Sequence, residues 1–352
     1  MKQLTYLLIA FILPLSHFAS AQQRKTTFPG KKWEVVKNPE ESGLSKEKLL
    51  EVRKQIENDN TSAFMIVVNG KVAYQWGEVD RKYNTHSMRK SVLSAMYGKY
   101  VQEGIIALEA TMADLGIDDN EGLSEEEKKA TVRDLLKARS GVYHPALYES
   151  SGMKRRKPAR FSVRAGTHWY YNNWDFNVLG TIFEQKTGKR IFEALYEDIA
   201  KPIGMEDYVP ADGTYISGKE SRHRAYPFNI TAKDLARFGL LMLNMGNWNG
   251  KQVIDSAWVA ESTRYHSDAA LYGSSGYGYM WWVARDFNKY ELYKGVDLPE
   301  GSYAAQGAGG HHLIIIPDYD MIVVRRVNTD ISGNRGKDLA PVLKLILEAR
   351  IK

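Results

Sequence analysis

The chain has 352 residues, no cysteine, and a formal net charge of +6, from 48 Lys and Arg against 42 Asp and Glu. Without cysteine there is no disulfide, no thiol catalysis and no lipidated N-terminal Cys, so apolar burial alone must hold the fold, which this length permits. The basic excess is mild for a chain of this size and does not call for a nucleic-acid partner.

Residues 1–21 read as an export signal. Lys2 precedes an apolar run over 4–15, broken only by Thr5 and Pro14, and Ala19-Ser20-Ala21 places small residues where a signal peptidase reads. That run is too short to span a bilayer, and no later stretch is long enough either. The mature chain is therefore expected in the periplasm or outside the cell, with no stable membrane span. Next, residues 45–58 predict a charged amphipathic helix capped by Ser45. Two strands over 64–68 and 71–76 flank Asn69-Gly70, the preferred two-residue hairpin turn. A helix follows Ser87, with Met88, Val92 and Met96 at four-residue steps and Gly104 as its stop.

From about 124 to 245, helical patterns (132–137, 178–186, 192–199, 232–243) alternate with polar loops. Two β-rich runs, 313–316 and 321–326, are joined across residues 317–320, and a last helix covers 339–349. Strands and a helix at each end bracket a mostly helical middle. This predicts an α/β (α+β) fold, its sheet assembled from both chain ends and a helical lobe inserted between them. No repeat, low-complexity tract or linker divides the chain.

A hydroxyl attacks carbonyls well at neutral pH only when a base takes its proton. Ser-x-x-Lys on a helix provides that base, because residues three apart share a face. The lysine must then be neutral, which burial and nearby positive charge both favour. The tetrapeptide occurs three times, at Ser45…Lys48, Ser87…Lys90 and Ser151…Lys154. Ser45 reads as a helix cap, and Ser151 leads into the basic run 154–157, for which no helix is expected because Pro158 breaks it. That run, with Arg160, reads as a solvated loop. Ser87 alone sits between a hairpin and an apolar helix able to bury its lysine, although a capping serine before a surface lysine would look the same. His86 suggests a Ser-His-Asp triad instead. Helix neighbours do not face one another, however, and no Gly-x-Ser-x-Gly elbow occurs.

Residues 166–173, Gly-Thr-His-Trp-Tyr-Tyr-Asn-Asn, supply a second element: a phenol beside a cation can relay a proton, and an amide can bind a substrate carbonyl and the lysine together. Tyr170…Asn172 and Tyr171…Asn173 both read Tyr-x-Asn, so spacing leaves the register open. The frame Gly-x-x-Trp-x-Tyr-x-Asn, followed by Val178-Leu179-Gly180, resembles the second motif of the class C β-lactamase family. In that frame the tyrosine is Tyr171 and the asparagine Asn173. The resemblance runs from about 42 to 347. It takes in Leu135-Leu136 with Ser140-Gly141, the segment Lys201-Pro202-Ile203-Gly204-Met205, and the helix opening at Thr231 with Asp234, Leu235 and Phe238. It implies one β-lactamase/transpeptidase-like serine hydrolase domain over 42–347, an antiparallel sheet flanked by helices, and no cofactor.

The family's third motif, Lys-Thr-Gly or His-x-Gly, has a literal match at Lys186-Thr187-Gly188. That match lies too soon after Asn173, and Gly188 there reads as a helix stop. The resemblance places the motif at Ala305-Gln306-Gly307, which makes Gln306 and Gly307 substrate-binding candidates and the amides of Ser87 and Ala308 the oxyanion hole. Ala305 departs from the pattern, removing the cation that holds a lactam's carboxylate; Arg222 and Arg224 are conceivable substitutes. Members similar at this segment include esterases and hydrolases of small linear amides such as 6-aminohexanoate oligomers. The expected reaction is cleavage of an ester or amide through an acyl-enzyme on Ser87. Rival readings are a D-aminopeptidase, a DD-carboxypeptidase or weak β-lactamase acting on cell-wall peptides, and a non-catalytic binding protein on the same fold. His311-His312 lacks a companion ligand set, so no metal is expected.

Overall fold

A computed structural model describes residues 26–269, 276–284 and 291–351; the expected export signal lies outside them. The Asn69-Gly70 signal gives the expected hairpin of β1 (Ala63–Val68) and β2 (Lys71–Gly77). Asn69 has φ 52° and Gly70 φ 76°, the two positive values that a type I′ turn requires. Glycine is needed at the second position twice over, because a Cβ there would stand 1.6 Å from the Thr27 carbonyl oxygen.

Five strands from the far end of the chain complete the sheet: β3 (Gly276–Tyr277), β4 (Trp282–Val283), β5 (Tyr303–Gly307), β6 (His311–Ile316) and β7 (Met321–Arg326). The order is β2-β1-β7-β6-β5-β4-β3, antiparallel throughout. The two chain ends meet at the β1–β7 ladder, Ala63 opposite Arg326 and Val68 opposite Met321. Every residue of β1 and β7 is buried, so both faces of the sheet are covered there.

The helices are α1 (Lys46–Glu57), α2 (Met88–Gln102), α3 (Val132–Leu136), α4 (Ser151–Arg156), α5 (Asn173–Thr187), α6 (Ile191–Leu195), α7 (Ala232–Leu243), α8 (Ser256–Thr263) and α9 (Ala340–Glu348). α7 seats Gly239 directly on the sheet, where a Cβ would lie 2.9 Å from the side chains of Leu313 and Ile322. α1 and α9 pack together, joined by a bond from Ser45 N to Ala349 O of 2.7 Å. The inserted lobe between β2 and β3 carries α2 to α8. Its first helix, α2, is buried around almost its whole circumference, as in a helix with no solvent face. No described helix is long and apolar enough to cross a membrane.

Two expectations need correction. α5 begins at Asn173 rather than near 178, because the Asn172 side chain caps it by accepting from Trp174 N. The basic run after Ser151 is helical: Ser150 caps α4 by accepting from Met153 N, and the helix ends at Arg156, just before Lys157 turns extended ahead of Pro158. Proline therefore terminates this helix instead of preventing it. Gly188 ends α5 with φ 67°, which leaves Lys186-Thr187-Gly188 as a helix terminus.

Candidate active site

The turn that delivers Ser87 is bound on every side. Thr85 N donates to Phe228 O, His86 N to Asn84 Oδ1, and Met88 N to Thr85 O. His86 adopts φ 46°, a left-handed conformation unusual for a side chain of its size. The result places Ser87 as the N-cap of α2 with its hydroxyl making no capping bond, whereas Ser45, Ser150 and Thr231 all spend theirs on caps.

One turn into α2, Lys90 is 1 % exposed. Its Nζ lies 3.3 Å from Ser87 Oγ, 2.8 Å from Tyr171 OH and 2.8 Å from Asn173 Oδ1. It also stands over the rings of Tyr171, at 4.0 Å, and Phe176, at 4.3 Å. No carboxylate forms an ion pair with it among the described residues. Burial pushes its pKa well below the ordinary lysine range, and the charge of neighbouring Arg89 adds to the effect against an opposing pull from Glu149. Arg89, itself fully buried, lies against the rings of Tyr148 and Tyr226 at 5.1 Å each and donates to His86 O.

The two tyrosines diverge. Tyr171 OH points at Lys90, while Tyr170 OH donates to Met153 O at 2.7 Å. Tyr171 is sandwiched by aromatics, with Trp282 stacked on it at 5.4 Å and Tyr277 edge-on at 6.1 Å. Asn173 presents its carbonyl to Lys90, but its amide donates to Tyr148 O at 2.6 Å and more weakly to Leu147 O at 3.4 Å. In this arrangement the amide donors hold the loop before α4 in place. Deeper support comes from Ser140, whose hydroxyl bonds Asp175 of α5.

A cleft of about 660 Å³ opens above these groups. Its lining includes Ser87, Tyr171, Asn173, Gln306, Gly307 and Ala308, so the candidates from the three sequence segments converge, with Lys90 beneath them. Among the described residues the amides of Ser87 and Ala308 have no acceptor. Gly307 has a further reason to be glycine, since a Cβ there would stand 2.8 Å from Thr85 O, the backbone just ahead of Ser87. Both rival serines lie elsewhere: Ser45 caps α1, and Ser151 is exposed with an exposed Lys154. The His86 ring nitrogens face Thr329 Oγ1 and Tyr148 OH, with no bond to Ser87, and burial holds this imidazole neutral, its pKa lowered to about 4.

The remaining candidates fall away from the cleft. Arg222 reaches Asn120 and Arg224 pairs with Glu184. His311 accepts from Arg326 Nε, His312 faces Tyr293 OH, and no described group of side chains could hold a metal ion. Sequence reasoning missed Tyr148, Met153, Arg156 and Trp282, which also line the cleft. For Met153 and Arg156 the Ser150 cap and the Pro158 stop were the available signals.

Fold and site together define a member of a single class. Residues 53–348 match the Beta-lactamase family, and the chain belongs to it. Among solved structures, a protein from Bacillus anthracis provisionally named a 6-aminohexanoate-dimer hydrolase superposes with a TM-score of 0.66. It is 20 % identical in sequence, over 92 % of this chain and 88 % of that one. An uncharacterised protein of Alkalihalophilus pseudofirmus is 23 % identical over 279 residues, 75 % of this chain and 79 % of that protein. A D-aminopeptidase of Brucella anthropi is 33 % identical over 97 residues, 23 % of this chain and 18 % of that enzyme.

Proposed function

We propose that this protein is an exported serine hydrolase that cleaves an ester or a small amide through an acyl-enzyme on Ser87. The observation that carries the reading is a buried lysine with no counter-ion among the described residues, within reach of a serine hydroxyl that caps nothing. An amine so placed gives up its charge far more readily than a free lysine, and the neutral form can take a proton. Asn173 Oδ1 can only accept, so it engages one N–H of Lys90 and leaves the lone pair to the hydroxyls of Ser87 and Tyr171.

Ser87 Oγ attacks the carbonyl while its proton passes to Lys90, directly or through Tyr171. Negative charge gathers on the carbonyl oxygen between the amides of Ser87 and Ala308. Collapse expels the alcohol or amine, which takes the proton back, and water then cleaves the acyl-enzyme by the same route. A pure binding protein has no need of this convergence.

A second reading, hydrolysis of D-aminoacyl or cell-wall peptides, draws on the partial match to a D-aminopeptidase. Against a lactamase stands Ala305, which is buried and uncharged. The missing charge-assisted bond is worth roughly 1.5–3 kcal/mol, or about one to two decades in rate. A fluorophosphonate should label the protein at Ser87 and fail on Ser87→Ala; labelling that survives the change removes Ser87 as nucleophile. On one preparation, kcat/KM for a p-nitrophenyl ester should exceed that for a chromogenic cephalosporin by at least tenfold. A D-aminoacyl anilide cleaved faster than both would favour the second reading.

A further inference from the structure

We propose that Arg326 is a positioning residue for catalysis, a single guanidinium that fixes the two proposed oxyanion donors, Ser87 N and Ala308 N, relative to each other. The proposal rests on the reading of Ser87 as nucleophile and adds to its machinery a residue outside the cleft.

Arg326 ends β7 and is wholly buried, with no carboxylate paired to it among the described residues. Backbone surrounds it instead. Nη2 donates to Tyr83 O at 2.7 Å and to Asn84 O at 3.1 Å, and Nη1 donates to Ile230 O at 3.0 Å. Nε donates to His311 Nδ1 at 3.1 Å. Burial and the arginine's own charge keep this imidazole neutral, its pKa far below the ordinary histidine range, so Nδ1 accepts. Taking a charge out of water without a counter-ion is costly, and an apolar side chain would fill the same space better. What arginine adds is a rigid fork of five N–H donors.

Each of these bonds reaches a segment that carries a proposed donor. Tyr83 and Asn84 lead straight into the serine turn, where Asn84 Oδ1 accepts from His86 N and Thr85 O from Met88 N. Ile230 lies opposite Tyr83 in a short antiparallel pairing, and Phe228, two residues earlier, accepts from Thr85 N. On the other side, His311 opens β6 opposite Gly307, and Ala308 stands in the turn between them. The rings of His86 and His311 meet at 5.1 Å, which brings the two sides together. A shift of the guanidinium therefore moves the Ser87 amide against the Ala308 amide. An oxyanion hole is sensitive to that spacing, because its donors must already be aimed when charge develops.

The test uses the intact protein and p-nitrophenyl butyrate, at a temperature where each variant is folded. Arg326→Lys and Arg326→Met should lower kcat by about tenfold to a hundredfold while KM changes by less than about threefold. Affinity for a trifluoromethyl ketone, whose adduct with Ser87 carries the oxyanion, should fall in step with kcat. Arg237→Lys is the matched control: Arg237 is equally buried, in α7, and donates to the carbonyls of Gly30, Lys31 and Ile203, outside the cleft lining. It should lose Tm and keep kcat. His311→Phe keeps a ring and removes the acceptor, and should lower kcat by about threefold to tenfold; it decides the matter alone if neither Arg326 variant folds. An unchanged kcat or ketone affinity in folded Arg326 variants, an unchanged kcat in His311→Phe, or an equal fall in Arg237→Lys overturns the positioning role while cleavage still depends on Ser87. Cleavage that does not depend on Ser87 overturns the nucleophile and this proposal together.

Discussion

Lys90 is held where it cannot easily carry charge, and its removal separates activity from stability. Between its lowered folded value and the 10.5 of a free lysine, the unfolded chain binds a proton that the folded chain lacks. This group therefore subtracts stability, and the loss is regained as pH rises toward 10.5. Lys90→Met should cut turnover by roughly 10²–10⁴-fold while Tm moves by only a few degrees. In the wild type, kcat/KM should rise with pH and level off far below 10.5; an acid limb at the ordinary lysine value would remove the neutral amine from the mechanism. Tyr171→Phe should damage kcat/KM on one ester far more than Tyr170→Phe, whose hydroxyl donates to Met153 O; equal losses would defeat the assignment. The two phenols show where spacing stops being informative. Both precede an asparagine by two residues, and which of them faces α2 depends on how residues 166–173 cross the lobe, a long-range matter that only the family frame could address. Ser87 and Lys90 were legible because their relation is local to one helix turn.

At the scale of elements, β5 must approach the turn before α2 almost backbone to backbone. Gly307→Ala would push Thr85 O from a Cβ only 2.8 Å away, and with it the serine turn and the Ala308 amide. The expected outcome is a loss of about 1–3 kcal/mol in stability from overpacking, with a larger fractional loss in kcat than in substrate affinity. An unchanged kcat would mean that β5 does not set the position of the serine. The long elements, α1, α2, α7 and the β1–β2 hairpin, followed from hydrophobic period and turn chemistry. α4 was lost because a proline two residues past its end was read as breaking the run rather than closing it. A six-residue helix has too few positions for periodicity to outweigh its basic composition.

The whole molecule depends on joining its two ends at the β1–β7 ladder. A chain stopped after Ile316 would lack β7 and α9 and would expose β1 and β6 as two long apolar edges. Such a truncation should yield aggregated protein without fluorophosphonate labelling; a soluble, labelled fragment would show that the site assembles without β7. The same ladder fixes the order of events in folding. β1 must wait for a partner roughly 250 positions further along, and closing so long a loop costs about 5 kcal/mol of chain entropy before any strand pairing repays it. The β1–β2 hairpin is local, but β1 stays one-sided until β7 has been made, so contact order predicts slow folding. The serine turn precedes β5 by more than 200 positions, so it meets its proposed oxyanion partner only after the whole inserted lobe has been made. A chain stopped short of β5 should hold the serine turn without the Ala308 amide.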